Sequence, residues 1–321
     1  MNIELLLSNL TNPTLLFFLL GVFATIVKSD LSIPESTSRF ISLYLLFSIG
    51  FKGGQELTHS GLTREVAVTL IAAVLLAIIV PFYCFYLLKR RLSVADAGAV
   101  AATYGSVSAV TFISAAAFLE AGQHPYGGHM VAAMAMMEAP AIIIGVMLMR
   151  KYDSGKTKMQ GLGHIVRESF TNGSVLMILG SLVIGLIADS KQAEGIRPFT
   201  SDIFKGFLAV FLLEMGMLAA RRFKAFRNYG WFVTLFALLI PAFNGCATAL
   251  FTHWMGMEAG NRLMLSVLAA SGSYIAVPAA MRLAAPEADP GLYVPMALGV
   301  TFPFNITLGI PLYWWIIQTV S

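Results

Sequence analysis

The sequence predicts an all-α integral membrane protein with ten transmembrane helices in two inverted five-helix repeats, each repeat carrying one broken helix. Three observations predict it. Apolar residues make up 57% of the 321 and charged residues only 12%, against a soluble norm of roughly half and a quarter. The apolar residues gather into ten stretches of membrane length. Two of these, 95–118 and 262–285, are interrupted at matching places, by Tyr104-Gly105-Ser106-Val107-Ser108 and by Ser271-Gly272-Ser273-Tyr274.

The first span, 13–27, opens at Asn12-Pro13; residues 1–14 contain Glu4 but no Lys or Arg, which argues against a cleaved signal peptide. Span 38–56 follows the turn Ile33-Pro34-Glu35-Ser36 and contains Gly50, Gly53 and Gly54. Span 66–88 is an apolar run closed by Lys89-Arg90-Arg91. In 95–118, Asp96 is placed to cap the helix start. Gly105 and Ser106 then stop the helix, and Ser108 caps a second half-helix from about Ala109. Span 127–149 carries Glu138 at its middle, and the polar stretch 151–170 connects the halves. Spans 173–188, 203–220 and 230–252 follow, with Glu214 and Asn244 mid-span. In 262–285, Pro278 suits the first turn of a new half-helix. The last span, 293–318, contains Asn305.

With the N-terminus outside, 15 of the 21 Lys and Arg fall in the cytoplasm, among them Lys89, Arg91, Arg150, Arg221 and Arg222, as the positive-inside rule requires. Both termini then face outward from the inner (plasma) membrane. The net charge of +4 is a topology signal and not a nucleic-acid footprint. Lys52 is expected to snorkel to the outer surface. Cys84 and Cys246 read as small buried apolar residues.

An offset of 160–167 residues superposes Asn12 on Asn172, Ile49-Gly50 on Met215-Gly216, Gly105-Ser106 on Gly272-Ser273, Glu120 on Glu287 and Tyr126 on Tyr293. Five spans per copy bring the second copy in from the opposite side, relating the repeats by a pseudo-two-fold axis in the membrane plane. The expected divisions are 1–150, a cytoplasmic connector 151–170, and 171–321.

Matched helix breaks point to a transport site. Each new half-helix offers unpaired N–H groups and a positive dipole end to a small anion, with hydroxyls from Ser106, Ser108, Thr111, Ser271 and Ser273. The alternative is a pair of Gly/Ser-kinked helices packed through small residues. Glu138 and Glu214 are costly within a membrane and so are functional candidates. A carboxylate beside an anion pocket implies Na⁺ or H⁺ between them. Asn244 and Asn305 read as interhelical hydrogen-bonders.

These motifs together resemble the sodium-dependent bicarbonate transporter family of cyanobacteria over nearly the whole chain. The matching stretches are Asn12-Pro13-Thr14-Leu15, Ile33-Pro34-Glu35-Ser36, Ile49-Gly50 with Gly53-Gly54, Gly105 with Val107-Ser108 and Thr111, Met215-Gly216-Met217, and Ile275 with Pro278 and Arg282. The resemblance implies a core domain carrying the crossed broken helices beside a gate domain, Na⁺-driven bicarbonate uptake by alternating access, a homotrimer, and no enzymatic activity or cofactor beyond the coupling ion. It carries the anion and sodium sites onto Gly105, Val107, Ser108 and Thr111 in the first break and Ser271, Ser273 and Ile275 in the second. Together with the residues read above, the expected anion contacts are Gly105, Ser106, Val107, Ser108, Ala109, Thr111, Gly272, Ser273, Tyr274 and Ile275, and the expected sodium site is Ser108, Glu138, Ser271 and Ser273. Three departures stand out. Tyr274 replaces an aspartate, Ala109-Val110 replaces Gly-Ser, and Glu138 stands where the family has Asp. The short connector weakens the expectation of a PII-like regulatory partner.

The competing readings are a Na⁺ or H⁺ symporter of a small carboxylate, a channel lined by half-helix ends, and an intramembrane enzyme. The last lacks a mid-span catalytic set, since His59, His124, His129, His164 and His253 lie near span ends or in loops.

Overall fold

The computed structural model describes residues 11–61, 63–152, 173–226 and 229–320, with residues 163, 167 and 171. The overlay of Asn12 on Asn172 and most of the 151–170 connector lie outside these. All regular structure among them is helical: α1 (Pro13–Ile26), α2 (Glu35–Ser60), α3 (Arg64–Leu88), α4 (Val94–Gly105), α5 (Ala109–Ala121), α6 (His129–Tyr152), α7 (Gly173–Ile187), α8 (Ser190–Glu194), α9 (Phe204–Phe226), α10 (Trp231–Trp254), α11 (Ala259–Ala270), α12 (Ala276–Ala284) and α13 (Pro290–Val320).

Among the described residues, six stretches are long and apolar enough to cross a membrane: α3, α4 with α5, α6, α9 with the turn before it, α10 and α13. The other four expected spans fall short for two reasons. α1 and α7 are apolar but only 14 and 15 residues long, about 21–23 Å of helix against a hydrocarbon core of about 30 Å. α2 has 26 residues but carries Glu35, Arg39, Lys52 and Glu56, while α11 and α12 are only 12 and 9 residues long, on either side of a break.

α1 lies along α9, and α2 along α7. Both contacts are backbone against backbone. A Cβ at Gly21 would lie 1.9 Å from the Leu213 carbonyl oxygen, and one at Gly216 would lie 2.1 Å from that of Phe18. At Gly54 and Gly185 the corresponding distances to Leu182 and Phe51 are 2.2 and 2.3 Å. Any side chain there forces the helices apart.

The remaining helices hold the broken ones. α4 packs between α3 and α6, with Gly98 against Met149, Gly145 against Ala102, and Gly105 against Pro81 and Ala141. Ser108, just beyond the end of α4, and Glu138 of α6 line one cavity. α11 is gripped by α10 and α13.

The starts of the broken helices are tied to their opposite numbers. Ser93, and not Asp96, caps α4, its hydroxyl accepting from the Asp96 N–H at 3.0 Å. The Asp96 carboxylate instead accepts from Ser93 Oγ at 2.7 Å and from the Asp289 N–H, at the start of α13, at 2.8 Å. At the other broken helix, the Asn261 side chain accepts from the Gly127 N–H at 2.7 Å and donates to Glu65 at 2.8 Å. The two broken helices are thereby fixed against each other's half of the chain.

α13 departs from the plain helix the sequence predicts. Met296–Thr301 and Asn305–Gly309 are π-helical, in a segment where Pro295, Pro303 and Pro311 remove backbone donors. Lys52 stands half-buried with its ammonium 5.5 Å from the Phe204 ring centre, in keeping with a snorkelling side chain.

Candidate functional site

The first break begins where α4 ends at Gly105. Ser106 turns the chain into extended backbone, its N–H donating to Ala102 O at 3.0 Å. Ser108 then serves as the N-cap of α5, its hydroxyl accepting from the Thr111 N–H at 3.2 Å. The second break begins after Ala270, where Ser271 is likewise extended. α12 has no side-chain cap at Ile275; the Ser273 hydroxyl accepts from the Val277 N–H at 3.2 Å, and Pro278 lies in the first turn.

The breaks cross and bond to one another. The Ser108 N–H donates to Ser271 Oγ at 3.0 Å, and the Ser273 N–H donates to Thr103 O at 2.9 Å. Ser271 Oγ also donates to Leu268 O at 2.9 Å, so its hydroxyl is committed to holding the crossing.

The helix ends that stop at the crossing are treated differently. In the second break, Asn244 Nδ2 donates to Ala269 O at 3.1 Å and Asn305 Nδ2 donates to Ala270 O at 2.8 Å. Tyr83 and Tyr313 donate in turn to the amide oxygens of Asn244 and Asn305. These asparagines are the interhelical hydrogen-bonders the sequence suggested. In the first break, no side chain among the described residues donates to the end of α4. Instead Ser106 Oγ, Thr103 Oγ1 and Thr111 Oγ1 are buried without hydrogen-bond partners, as is one carboxylate oxygen, Oε2, of Glu138.

A cavity of about 30 Å³ opens at the crossing. The half-helix starts contribute Val107, Ser108, Ala109 and Val110 from one side and Ser273, Tyr274, Ile275 and Ala276 from the other, and Glu138 lines the same space. First-turn N–H groups have no partner within their own helix, so the cavity walls combine positive dipole ends with one carboxyl group. Gly105, Ser106, Thr111, Ser271 and Gly272, also predicted as site residues, lie behind the walls. Gly105 is a packing glycine: a Cβ there would stand 2.1 Å from the Pro81 ring. Glu214 lies away from the cavity, beside Ser38 of α2.

Sequence reasoning missed the opposite wall, formed by Ser42, Leu45 and Leu46 of α2, Ser174 of α7 and Phe211 of α9. Their only signal is Ser42 and Ser174 as hydroxyls beside apolar runs. Ser42, Ser174, Phe211, Tyr274 and Ile275 also border a larger vestibule of about 610 Å³, which carries Arg39, Arg222 and Arg282 at its rim. Tyr274 stands at the neck, its hydroxyl 3.9 Å from the Met215 sulfur. The cavity therefore adjoins the vestibule at the end of the molecule that bears these arginines.

No curated protein sequence matches the chain. The family model described as the Na⁺-dependent bicarbonate transporter superfamily matches residues 13–318 of the 321, and the chain belongs to that superfamily.

Proposed function

We propose that the protein takes up bicarbonate together with Na⁺ by alternating access, through the cavity at the crossing of the two broken helices. The observation that carries this reading is the meeting, in one small cavity, of two half-helix starts and the carboxyl of Glu138. The starts suit an anion without any Lys or Arg. The carboxylate, with Ser108 and Ser273 close by, suits a hard cation taking oxygen ligands. Each charge then offsets the other's cost of burial. Glu138 takes this role because its place in the offset of 167 is Asn305 in the second half. Asn305 satisfies a helix-end carbonyl with an amide donor; a carboxylate in the same place needs a cation to do so.

In this reading the chain comprises ten spans in two inverted repeats. The glycine contacts support it, since Gly21 against α9 and Gly185 against α2 are 164 residues apart, within the repeat offset. α1, α2, α7 and α9 form the gate, and the other helices the core. The arginine-rimmed vestibule faces the cytoplasm, both termini face outward, and the assembled protein is a trimer.

Purified protein in liposomes tests the function. Labelled bicarbonate should accumulate with an inward Na⁺ gradient and not with matched K⁺. No bicarbonate uptake under any gradient would sink the anion assignment. Proton coupling is the second reading, favoured by Tyr274 standing where the family has an acid, which leaves Glu138 as the single acidic side chain lining the cavity. Uptake driven by a proton gradient alone would establish it.

A further inference from the structure

The two ends of the transport path carry one ion pair that is made and one that is not. Lys205 Nζ, at the start of α9, stands 3.4 Å from Glu120 Oε2, at the end of α5. The offset of 166 that overlays Met215 on Ile49 also overlays Lys205 on Arg39, and the offset of 167 overlays Glu287 on Glu120. Arg39 and Glu287 are both exposed and make no ion pair among the described residues.

The cavities beside these pairs correspond in the same way. Ile49 and Glu56 line a pocket of about 230 Å³ next to Glu120, and their counterparts Met215 and Arg222 line the 610 Å³ vestibule next to Arg39. The narrow cavity has its ion pair joined and the wide one does not. The narrow pocket shares no wall residue with the cavity at the helix crossing, whereas the wide one shares five. In the topology proposed above, the closed end faces outward and the open end inward.

We propose that Glu120–Lys205 and Arg39–Glu287 are alternating latches: the first holds the outer end closed in the present conformation, and the second forms when the inner vestibule closes and the first parts. This rests on the repeat relation proposed above, under which moving the gate against the core exchanges the environments of corresponding residues. Lys205 and Arg39 sit on the gate helices α9 and α2, while Glu120 and Glu287 belong to the core, so each pair spans the moving boundary. Both partners of the existing pair are about half exposed, and such a pair shifts a two-state ratio by about two- to fivefold. That is enough to bias an equilibrium without locking it.

Leu218, in the wall of the inner vestibule, serves as the reporter. With Leu218→Cys in a Cys84→Ala, Cys246→Ala background, the rate of labelling by a water-soluble maleimide reads the inward-open fraction and needs no substrate. Glu120→Lys or Lys205→Glu alone should slow labelling about two- to fivefold, and the two together should restore it. Adding Glu287→Arg to Glu120→Lys removes the competing latch and should also restore the rate. Unchanged labelling in the single outer variants, or no recovery on adding Glu287→Arg, overturns the proposal. Normal Na⁺-driven uptake with indifferent swaps would remove the latch and leave the transport reading standing. Swaps that behave as expected in a protein that carries no bicarbonate would do the reverse.

Discussion

The two helix breaks share a backbone plan and differ in chemistry. Each has an extended serine after its first half-helix, and each has a serine hydroxyl accepting from the first turn of its second. The second break is internally complete: Asn244 and Asn305 neutralise the carbonyls of α11, backed by Tyr83 and Tyr313. At the first break the position corresponding to Asn305 is Glu138, and buried oxygens of Ser106, Thr103 and Glu138 remain without donors. In the function proposed above, the repeat symmetry supplies two helix starts for an anion, and the departure from it at Glu138 supplies one acidic place for a cation. A transporter that must bind two unlike ions from one duplicated motif needs such a departure.

The largest expected effect comes from removing the hydroxyl that each break uses at its helix start. Ser108→Ala or Ser273→Ala should abolish uptake while leaving folded protein in the membrane, since losing an N-cap costs only about 1 kcal/mol. Near-normal uptake by both variants, measured in liposomes beside a size-exclusion profile, would remove the breaks from the site. Asn305→Leu tests the complete side of the comparison. It strips the Ala270 carbonyl of its amide donor, leaves the Tyr313 hydroxyl with the Pro241 carbonyl alone, and should lower stability by about 2 kcal/mol, seen as a fall in melting temperature. An unchanged melting temperature would mean that the second break is not held by its amide. The smallest effect belongs to Tyr274→Phe. Its hydroxyl donates to the Met215 sulfur, a weak bond, and lies beside the Ser108 side chain, whose cap on the Thr111 N–H does not depend on it, so uptake should change less than about twofold. A large loss would place the phenol on the ion path.

Much of this organisation was legible in the chain. The stops at Gly105 and Ala270 and the restart at Ala109 are written in Gly, Ser and Pro, which act on the backbone locally. Glu138 was legible because a carboxyl group is conspicuous in an apolar run. Ser93 and not Asp96 is the cap because Ser93-x-x-Asp96 has the capping-box spacing, a local signal that the sequence reading passed over, and the Asp96 carboxylate turns to Ser93 Oγ and the Asp289 N–H. The π-helical stretches of α13 depend on how three prolines are accommodated against α9 and α10. The wall formed by Ser42, Ser174 and Phe211 was hidden for another reason: pairing of α2 with α7 and of α1 with α9 is decided by glycine contacts between distant segments. α1, α2 and α7 also show that a hydropathy pattern locates helices better than it certifies spans, since two are short and one is polar.

The most direct test of the asymmetry is the ion dependence of bicarbonate uptake by Glu138→Gln, compared with the unaltered protein at several Na⁺ concentrations and pH values. The account predicts that the variant folds but loses Na⁺ stimulation, with uptake reduced by about 100-fold. Wild-type dependence on both Na⁺ and pH in Glu138→Gln would contradict it, and the cation would have to be sought away from the first break.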